Sequence, residues 1–385
     1  MFGLESGDLV STIIWILFFF IFIIFGPRII FTQTMLKLEN DVKKFEIIAS
    51  SSRDYVIKSI SKTSNSELKR KITEFLDFFS VEPVSLDPYG IVKKLDMIIR
   101  LSDKKFNYFV KQILPTASLE KQNNIKNALM GAITIHQLAK IVRHNFEIIK
   151  KYKLYQLAII LQMQLPLIER IANSVKKATM AFADGKAIGD GIGPLVAATM
   201  ISGNPEIMKE EEFVYYKTKM FGKNVIISKA LGPGASTGQP GKFLLKLSKN
   251  IKINRIITID AGLRLEGEKP GSIAEGVGVA MGGSGVERYE IEEFAVSNNI
   301  PLDAVVIKVS DEEALQPMKL EIVNAVEKAK ERVEKLIRQA EKNENILIIG
   351  VGNTCGIENN KDKADESIKK ILNEIKKEKQ KEKQT

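Results

Sequence analysis

The chain has 385 residues, with 57 lysines and arginines against 47 aspartates and glutamates, and a net charge of +10. Its length suffices for about two domains in addition to a membrane anchor. It contains one cysteine, which excludes an internal disulfide and zinc sites built from several cysteines. Its two histidines, His136 and His144, would share one face of a helix, but no carboxylate lies four residues from either. We therefore predict that these histidines are ordinary helix residues, and we assign no metal-ligating residues.

The first predicted element is a transmembrane helix over residues 9–31. No charged side chain occurs between Leu9 and Pro27, and almost every residue there is apolar. Roughly 20 apolar residues, rising 1.5 Å each, cross a hydrocarbon layer of ~30 Å. A cleaved signal peptide would begin with basic residues and end in a small-residue cleavage site. Glu5 and Asp8 precede this segment instead, so the pattern favours an anchor.

The flanking charges predict the orientation of the anchor. Acidic residues precede the span, whereas Arg28 lies near its C-terminal end and Lys37, Lys43 and Lys44 follow it. Positively charged flanks stay in the cytoplasm, so residues 1–8 should be extracytoplasmic and the C-terminal body should lie in the cytoplasm. The sequence therefore predicts a single-pass protein of the cell membrane.

The basic excess is concentrated in the segment that follows the anchor. Residues 37–177 carry 25 basic and 14 acidic side chains, whereas residues 178–357 carry 22 and 24. Anionic headgroups of the cytoplasmic leaflet attract such a segment, so we predict contact with an anionic lipid surface. Nucleic acid would be attracted by the same charge. No interleaving of aromatic and basic residues favours that partner.

Residues 35–177 predict a basic helical domain. Glycine is rare, and apolar residues recur at spacings of three and four, as in Ile72, Phe75, Leu76 and Phe79. Val81–Tyr89 predicts a loop between two helical groups, and the residues after Pro115 predict another, with Ser118 as a helix N-cap.

Residues 178–357 predict a glycine-rich α/β domain. The predicted strands are Val225–Ser228, Arg255–Asp260, Ala304–Val309 and Ile346–Val351. Between them lie predicted helices at Lys242–Ser248, Val286–Ser297 and Asp311–Lys342. Strands that alternate with helices are typical of an open parallel sheet of the Rossmann-like type.

The third predicted helix and the chain end complete this organisation. Ser310 and Glu313 fit a capping box at the start of that helix. At ~45 Å it is longer than a crossover needs, so its overhang would either join a homo-oligomer or extend into solvent. Residues 358–385 are dominated by Lys, Glu, Gln and Asp and predict a charged, partly disordered tail.

Glycines cluster in four places, and three of the clusters directly follow a predicted strand. In a parallel sheet such loops gather at the carboxyl edge of the strands, where open α/β folds bind ligands. Glycine lets backbone N–H groups approach an anion closely, and helix N-termini favour negative charge. These positions predict a ligand site at Gly232, Gly234, Ser236, Thr237, Gly238, Gly241, Asp260, Gly282, Gly283, Ser284, Gly350, Gly352, Asn353 and Thr354.

The chemistry at this site is open. Asp260 ends a strand and could hold a ribose hydroxyl, a metal ion or a catalytic proton, and Glu266 and Glu275 are further catalytic candidates. The glycine pattern favours a nucleotide, with a divalent cation, as the cofactor. Cys355 near a glycine loop has no histidine close in sequence, so an ordinary core cysteine is favoured over a nucleophile.

Four segments of the sequence together resemble one known family. They are GDGIGPLVAATM, LGPGASTGQPG, LEGEKPGSIAEGVGVAMGGSGVERY and GVGNT, combined with the N-terminal anchor. The chain resembles an uncharacterised archaeal family of single-pass membrane-anchored proteins, a domain of unknown function. The resemblance implies an archaeal source and no reaction.

Three functions remain open at this stage. The first is a membrane-tethered α/β domain that binds a nucleotide or another phosphorylated ligand as a sensor or regulator. The second is a metal-dependent hydrolase or transferase that uses Asp260 or a loop glutamate. The third is an oligomeric scaffold at the membrane.

Overall fold

The computed structural model describes residues 6–61, 66–78, 90–282 and 285–382. The helices are α1 Ser6–Ile60, α2 Ser66–Phe75, α3 Ile91–Ile113, α4 Leu119–Tyr152, α5 Tyr155–Asp184, α6 Ile192–Met200, α7 Pro240–Leu247, α8 Val286–Ser297, α9 Asp311–Leu315, α10 Leu320–Val323, α11 Val326–Gln339 and α12 Lys361–Glu382. The strands are β1 Glu206–Met208, β2 Phe213–Met220, β3 Lys223–Ala230, β4 Arg255–Leu263, β5 Ile273–Val277, β6 Leu302–Val309 and β7 Asn345–Gly350. The chain divides into two compact units, residues 1–51 with 135–173 and residues 52–134 with 174–385.

The predicted helical region is confirmed, and its last helix continues to Asp184. Ser118 caps α4, because its hydroxyl oxygen accepts a hydrogen bond of 3.2 Å from the Lys121 N–H. The loop predicted at Val81–Tyr89 lies outside the described residues.

The first unit is built from parts of α1, α4 and α5. Its buried apolar side chains repeat at alternating spacings of three and four, a heptad-like pattern that keeps one stripe of each helix against its neighbours. On α4 these are Ile135, Ala139, Val142, Phe146 and Ile149. On α1 they are Leu38, Val42 and Phe45, and on α5 they are Ala158, Leu161 and Leu165. An ion pair of 2.8 Å between Arg143 and Glu46 joins α4 to α1.

The N-terminal part of α1 exposes its apolar side chains. From Ile13 to Phe25 every large apolar side chain is between 47% and 69% exposed. Among the described residues, α1 is the one helix that is long and apolar enough to cross a membrane. Its most apolar window has a mean hydropathy of 2.6 and is 6% buried. The segment is therefore not a core helix of either unit.

The second unit contains a seven-stranded sheet in the order β1-β2-β3-β7-β4-β6-β5. The four predicted strands are confirmed as β3, β7, β4 and β6, and they run parallel to one another. The sheet as a whole is mixed, because β1, β2 and β5 pair antiparallel at its edges. The prediction of a sheet that is parallel throughout is therefore wrong, since it overlooked the three antiparallel strands.

Helices cover both faces of this sheet. Alternate residues of the central strands point to opposite faces, so Ile257 and Ile348 pack with α6, α10, α11 and α12. Ile256 and Leu347 pack with α7 and α8 on the other face. A third apolar cluster joins α2, α3, α4 and the end of α5 to the loops after β3 and β7. This last contact brings helical side chains to the predicted ligand loops.

The predicted helix Asp311–Lys342 is wrong as a continuous helix. It is divided into α9, α10 and α11, and its capping box of Ser310 with Glu313 is confirmed. Pro317 has no N–H and disfavours a helical residue before it, and Gln316 is extended. The apolar face of α11 is buried against the sheet. Helix α12 continues through the predicted tail to Glu382.

Candidate functional site

The strand-end loops predicted as a site meet at one edge of the sheet. Because β3, β7 and β4 are parallel neighbours, the loops that follow them lie side by side. Helix α6 packs against this edge. A Cβ at Gly193 would lie closer than 3.0 Å to the carbonyl oxygens of Ile259 and Val351, a separation that real side chains do not show. Because Gly193 has no side chain, α6 can approach two strands closely at this point.

Several predicted ligand glycines are covered by protein in the same way. A Cβ at Gly232, Gly350 or Gly352 would lie closer than 3.0 Å to backbone of another segment, and one at Gly238 would meet the Phe213 ring. Gly234 contacts α4 more loosely, and Gly282 faces open space. Gly283 and Ser284 lie outside the described residues. Most of these glycines therefore permit close packing between protein segments.

The polar residues after β7 also bond to protein. The Asn353 N–H donates to Asp190 Oδ2 at 2.8 Å, and the Cys355 N–H donates to Asn353 Oδ1 at 2.9 Å. The Thr354 hydroxyl is buried and lies 2.8 Å from the carbonyl oxygen of Gly234 and 3.0 Å from that of Ser236. Thr354 thus fastens the loop after β7 to the loop after β3, and Asn353 fastens it to Asp190 in the segment before α6.

Two buried carboxyl groups and the cysteine lie close to this edge. Burial raises the pKa of Asp260 well above its ordinary value, and the neighbouring Asp190 carboxylate raises it further. Burial also raises the pKa of Asp190, against a hydrogen bond from the Asn353 N–H that lowers it. Asp260 is 3% exposed. Burial raises the pKa of the Cys355 thiol to about 12, so it is held as an unreactive thiol.

The other two catalytic candidates lie away from Asp260. Glu266 is exposed in the loop after β4. Glu275 lies on the edge strand β5, two strands or ~10 Å from β4, and pairs with Arg332 of α11 at 2.9 Å. The structure therefore does not bring the three predicted catalytic carboxylates together.

A cavity of about 400 Å³ lies between the loop after β3 and the helices α3, α4 and α8. Ser236, Thr237 and Gly238 of the predicted site line it, together with Lys242 at the start of α7. The helical side contributes residues that carry no signal in the sequence, because they belong to unremarkable amphipathic helices. These residues are Asp96, Ile99, Arg100, Asp103, Lys104, Lys126, Asn127 and Met130.

The cavity contains both signs of charge, and most of its charged groups are paired. Lys242 Nζ lies 2.9 Å from Asp96 Oδ1, and Lys126 Nζ lies 3.1 Å from Asp103 Oδ1. The Ser236 hydroxyl donates to Glu212 Oε2. Within the described part of the chain, the Lys104 ammonium group and the Thr237 hydroxyl have no ion pair or hydrogen bond. These two groups are available to a ligand without breaking an existing contact.

The N-terminus of α7, which was predicted to receive an anion, is already occupied by a carboxylate. The Gly241 N–H donates to Glu287 Oε2 at 2.7 Å. Glu290 lies beside it, and burial raises the pKa values of both Glu287 and Glu290. Because the negative end of a ligand would meet these carboxylates, Gly241 is not a phosphate contact in this arrangement.

One buried lysine near this edge is not among the residues that the sequence predicts for the site. Lys229 is fully buried near the end of β3, and its Nζ donates to the Ala230 carbonyl at 2.7 Å and to Asn359 Oδ1 at 2.9 Å. Burial lowers the pKa of Lys229 to about 7. Asn359 also bonds both backbone groups of Gly232 at 2.8 Å, so it closes this loop. The only signal in the sequence was a lysine inside an apolar strand.

The described part of the chain holds no group of three or more histidine, cysteine, aspartate or glutamate side chains that could bind a metal ion. Two family models match the chain. Residues 12–185 match the N-terminal domain of the protein of unknown function DUF1512, and residues 188–358 match the C-terminal domain of the same family. Neither the curated proteins nor the solved structures include a match to this chain. The chain belongs to the DUF1512 family.

Proposed function

We propose that this protein is a single-pass membrane protein whose cytoplasmic α/β unit binds a nucleotide or another phosphorylated ligand and acts as a sensor or regulator. The cavity between the loop after β3 and helices α3, α4 and α8 carries the ligand-binding part of this proposal. Its volume of about 400 Å³ is within the range of ~300–1,000 Å³ that is usual for small-molecule sites.

The side chains of the cavity favour a ligand that has both anionic groups and hydrogen-bond donors. Lys104, Lys126 and Lys242 offer ammonium groups to a phosphate, and Thr237 offers a hydroxyl. Asp96 and Asp103 accept hydrogen bonds, as ribose hydroxyls and base amino groups require. A nucleotide carries both kinds of group. Asp96 and Asp103 would supply carboxylate oxygens to a divalent cation that accompanies the phosphates, and such a cation would offset the negative charge of the ligand.

Burial argues against the catalytic alternative that uses Asp260. That carboxyl group does not line the cavity, and it is 3% exposed. A general acid or base must come within hydrogen-bond reach of its substrate. The proposal of a scaffold is weakened as well, because the overhanging helix on which it rested has its apolar face in the core.

The anchor part of the proposal rests on the exposed apolar surface of α1. From Ile13 to Phe25 a continuous belt of large apolar side chains has no cover from the described part of the chain. Leaving such a belt in water is unfavourable by ~25 cal/mol per Å². Lipid supplies the missing environment, and the basic residues from Arg28 onward favour the cytoplasmic side for the remainder of the chain.

Binding to the full chain in lipid nanodiscs tests the ligand proposal. Titration calorimetry with adenine and guanine nucleotides, each with and without magnesium, should identify a ligand. Removing a charged hydrogen-bond partner costs about 1.5–3 kcal/mol, so Lys104→Ala should weaken that ligand about tenfold or more. Lys105→Ala is the matched control, because Lys105 is the exposed neighbour on α3 and does not line the cavity. Equal effects of the two variants, or no binding of any nucleotide, would refute the proposal.

Alkaline extraction of membranes tests the anchor. We expect the full chain to stay in the pellet at pH 11, as an integral protein does, and a tag at the C-terminus to be protected from protease in intact cells. Release of the chain into the supernatant would overturn the anchor, and cleavage of the tag would overturn the orientation.

A further inference from the structure

The turn between α4 and α5 has an unusual surface for a short helix–helix connection. We call residues 150–155 the α4–α5 tip. Its sequence is KKYKLY, and all six of its residues are exposed. Tyr152 is 62% exposed, Leu154 39% and Tyr155 40%. The tip thus offers two aromatic rings, one leucine and three lysines.

The local backbone conformation keeps the side chains of the tip exposed. Lys153 has a φ of 53°, and the Leu154 N–H donates to the Ile149 carbonyl oxygen at 3.2 Å. These are the features of a Schellman ending, which stops α4 within one residue. The position with positive φ is usually glycine, yet here it carries a lysine. A turn of only two residues between two long helices leaves the tip side chains little freedom to fold back.

The tip lies at the end of the first unit where the apolar belt of α1 ends. The Tyr155 ring packs on the Phe31 ring, with 4.4 Å between the centroids. Phe31 is the last residue of the predicted span. Farther along, Arg143 of α4 pairs with Glu46 of α1, so α4 runs back toward the anchor and turns at the tip. If α1 crosses a bilayer, the tip is at the level of the headgroups.

We propose that the α4–α5 tip docks on the anionic headgroup layer of the membrane and forms a second membrane contact beside the anchor. This inference rests on the proposed anchor. Tyrosine is favoured at bilayer interfaces, because its ring is apolar and its hydroxyl is polar. Lysines at the same level contact anionic headgroups while their stems lie along apolar surface.

The charge of the tip favours lipid over a second copy of the chain. Lys150, Lys151 and Lys153 carry like charges within four residues, and Arg28 is exposed near the end of the apolar belt. Two copies that met tip to tip would bring these cations together, whereas an anionic surface neutralises them. The exposed Ile159 and Ile160 of α5, one turn away, extend the apolar part of the same surface.

Spin-label accessibility in nanodiscs tests the docking. The full chain is labelled at Tyr152→Cys, at His144→Cys and at Phe20→Cys, in discs that contain anionic lipid. His144 is the matched control, because it is exposed on α4 about 12 Å from the tip. Cys355 is fully buried, so the unmutated chain should take no label. We expect the label at position 152 to favour oxygen over a water-soluble nickel chelate, and the label at position 144 to favour the chelate.

A charge variant separates electrostatic docking from simple proximity. Reversing the three tip lysines to glutamate should move the label at position 152 toward water by about 5 Å, the depth at which interfacial segments insert. The control reverses Lys219, Lys249 and Lys252, which are exposed on the second unit, and should leave the label in place. In discs of neutral lipid alone, the label at position 152 of the chain with its three tip lysines should lie as close to water as it does in the lysine-to-glutamate variant.

The three labels make the possible failures distinguishable. A chelate-accessible label at position 20 would overturn the anchor and the docking together. An oxygen-accessible label at position 20 with a chelate-accessible label at position 152 would overturn the docking alone. A label at position 152 that is shielded from both reagents and broadened by a second label would assign the tip to a contact between two copies, and the proposal would be wrong.

Discussion

Replacing Lys229 with methionine tests whether the buried lysine is neutral in the folded protein. Methionine keeps a similar length and removes the amino group that bonds to Ala230 and Asn359. Burial lowers the pKa of Lys229 from 10.5 to about 7. Each pKa unit corresponds to about 1.4 kcal/mol. The difference between the pKa of Lys229 in the folded and in the unfolded chain therefore changes the free energy of unfolding by up to about 5 kcal/mol across the full pH range.

The sign of the pH dependence follows from proton binding. Between pH 7 and pH 10.5 the unfolded chain holds the Lys229 proton and the folded chain does not. The free energy of unfolding therefore rises with pH through this window and is independent of this group below it. The Lys229→Met variant lacks this contribution. We expect the stability of the variant to be closest to that of the original protein at pH 6. By pH 10 the variant should have lost about 4 kcal/mol relative to the original protein, because about three pH units lie between the folded pKa and pH 10.

Urea unfolding of the full chain in detergent, followed by circular dichroism from pH 6 to pH 10, measures this difference. The other titrating groups are common to both proteins and cancel when the two are compared. Lys223→Met, at the other end of β3 and half-buried, is the matched control for the loss of a lysine from this strand. A difference for Lys229→Met that is constant with pH, or that changes in the opposite direction, would refute the reasoning.

Two further predictions concern folding elements near the strand edge. Gly193→Ala should lower the free energy of unfolding by at least about 2 kcal/mol, because the added Cβ would overlap two carbonyl oxygens. The control Gly276→Ala should change it by less than about 0.5 kcal/mol, because the space around Gly276 is open. Ser310→Ala should cost about 1 kcal/mol by removing the N-cap of α9, and Ser310→Asp should recover most of it. Urea unfolding measures both, and equal stability within each pair of variants would contradict them.

The elements that the sequence predicted well are those with a local signal. The four central strands are short β-branched runs, and the capping box at Ser310 needs only residues that are three apart. The antiparallel strands had no such signal. Phe213–Met220 alternates weakly and contains two lysines, and Ile273–Val277 contains glycine, so only pairing with β3 and β6 makes them strands. The break after Leu315 had a local signal in Pro317, but the apolar spacing of the helix masked it.

The candidate site was predicted in part for the same reason. Ser236, Thr237 and Gly238 line the cavity as their position after a strand indicates. The opposite wall comes from α3 and α4, more than 100 residues earlier in the chain, and no spacing rule connects the two. Asp260 lies within β4 and Asn353 follows β7, but both are buried, and α6 packs closely on the neighbouring Ile259 and Val351 at Gly193. No local pattern in the sequence predicts this packing.

A glycine after a strand has two explanations that a sequence does not separate: it admits a ligand, or it admits another part of the chain. Here the contacts decide between them. Gly193, Gly232, Gly350 and Gly352 each face protein backbone at a distance that no Cβ could occupy. The N–H of Gly241 already has a carboxylate partner in Glu287. Selectivity for a ligand in the cavity must therefore come from side chains, chiefly the unpaired Lys104, and not from a glycine cradle. This is why the comparison of Lys104→Ala with Lys105→Ala discriminates more sharply than any glycine substitution, since a larger residue at those glycines would disturb folding before it disturbed binding.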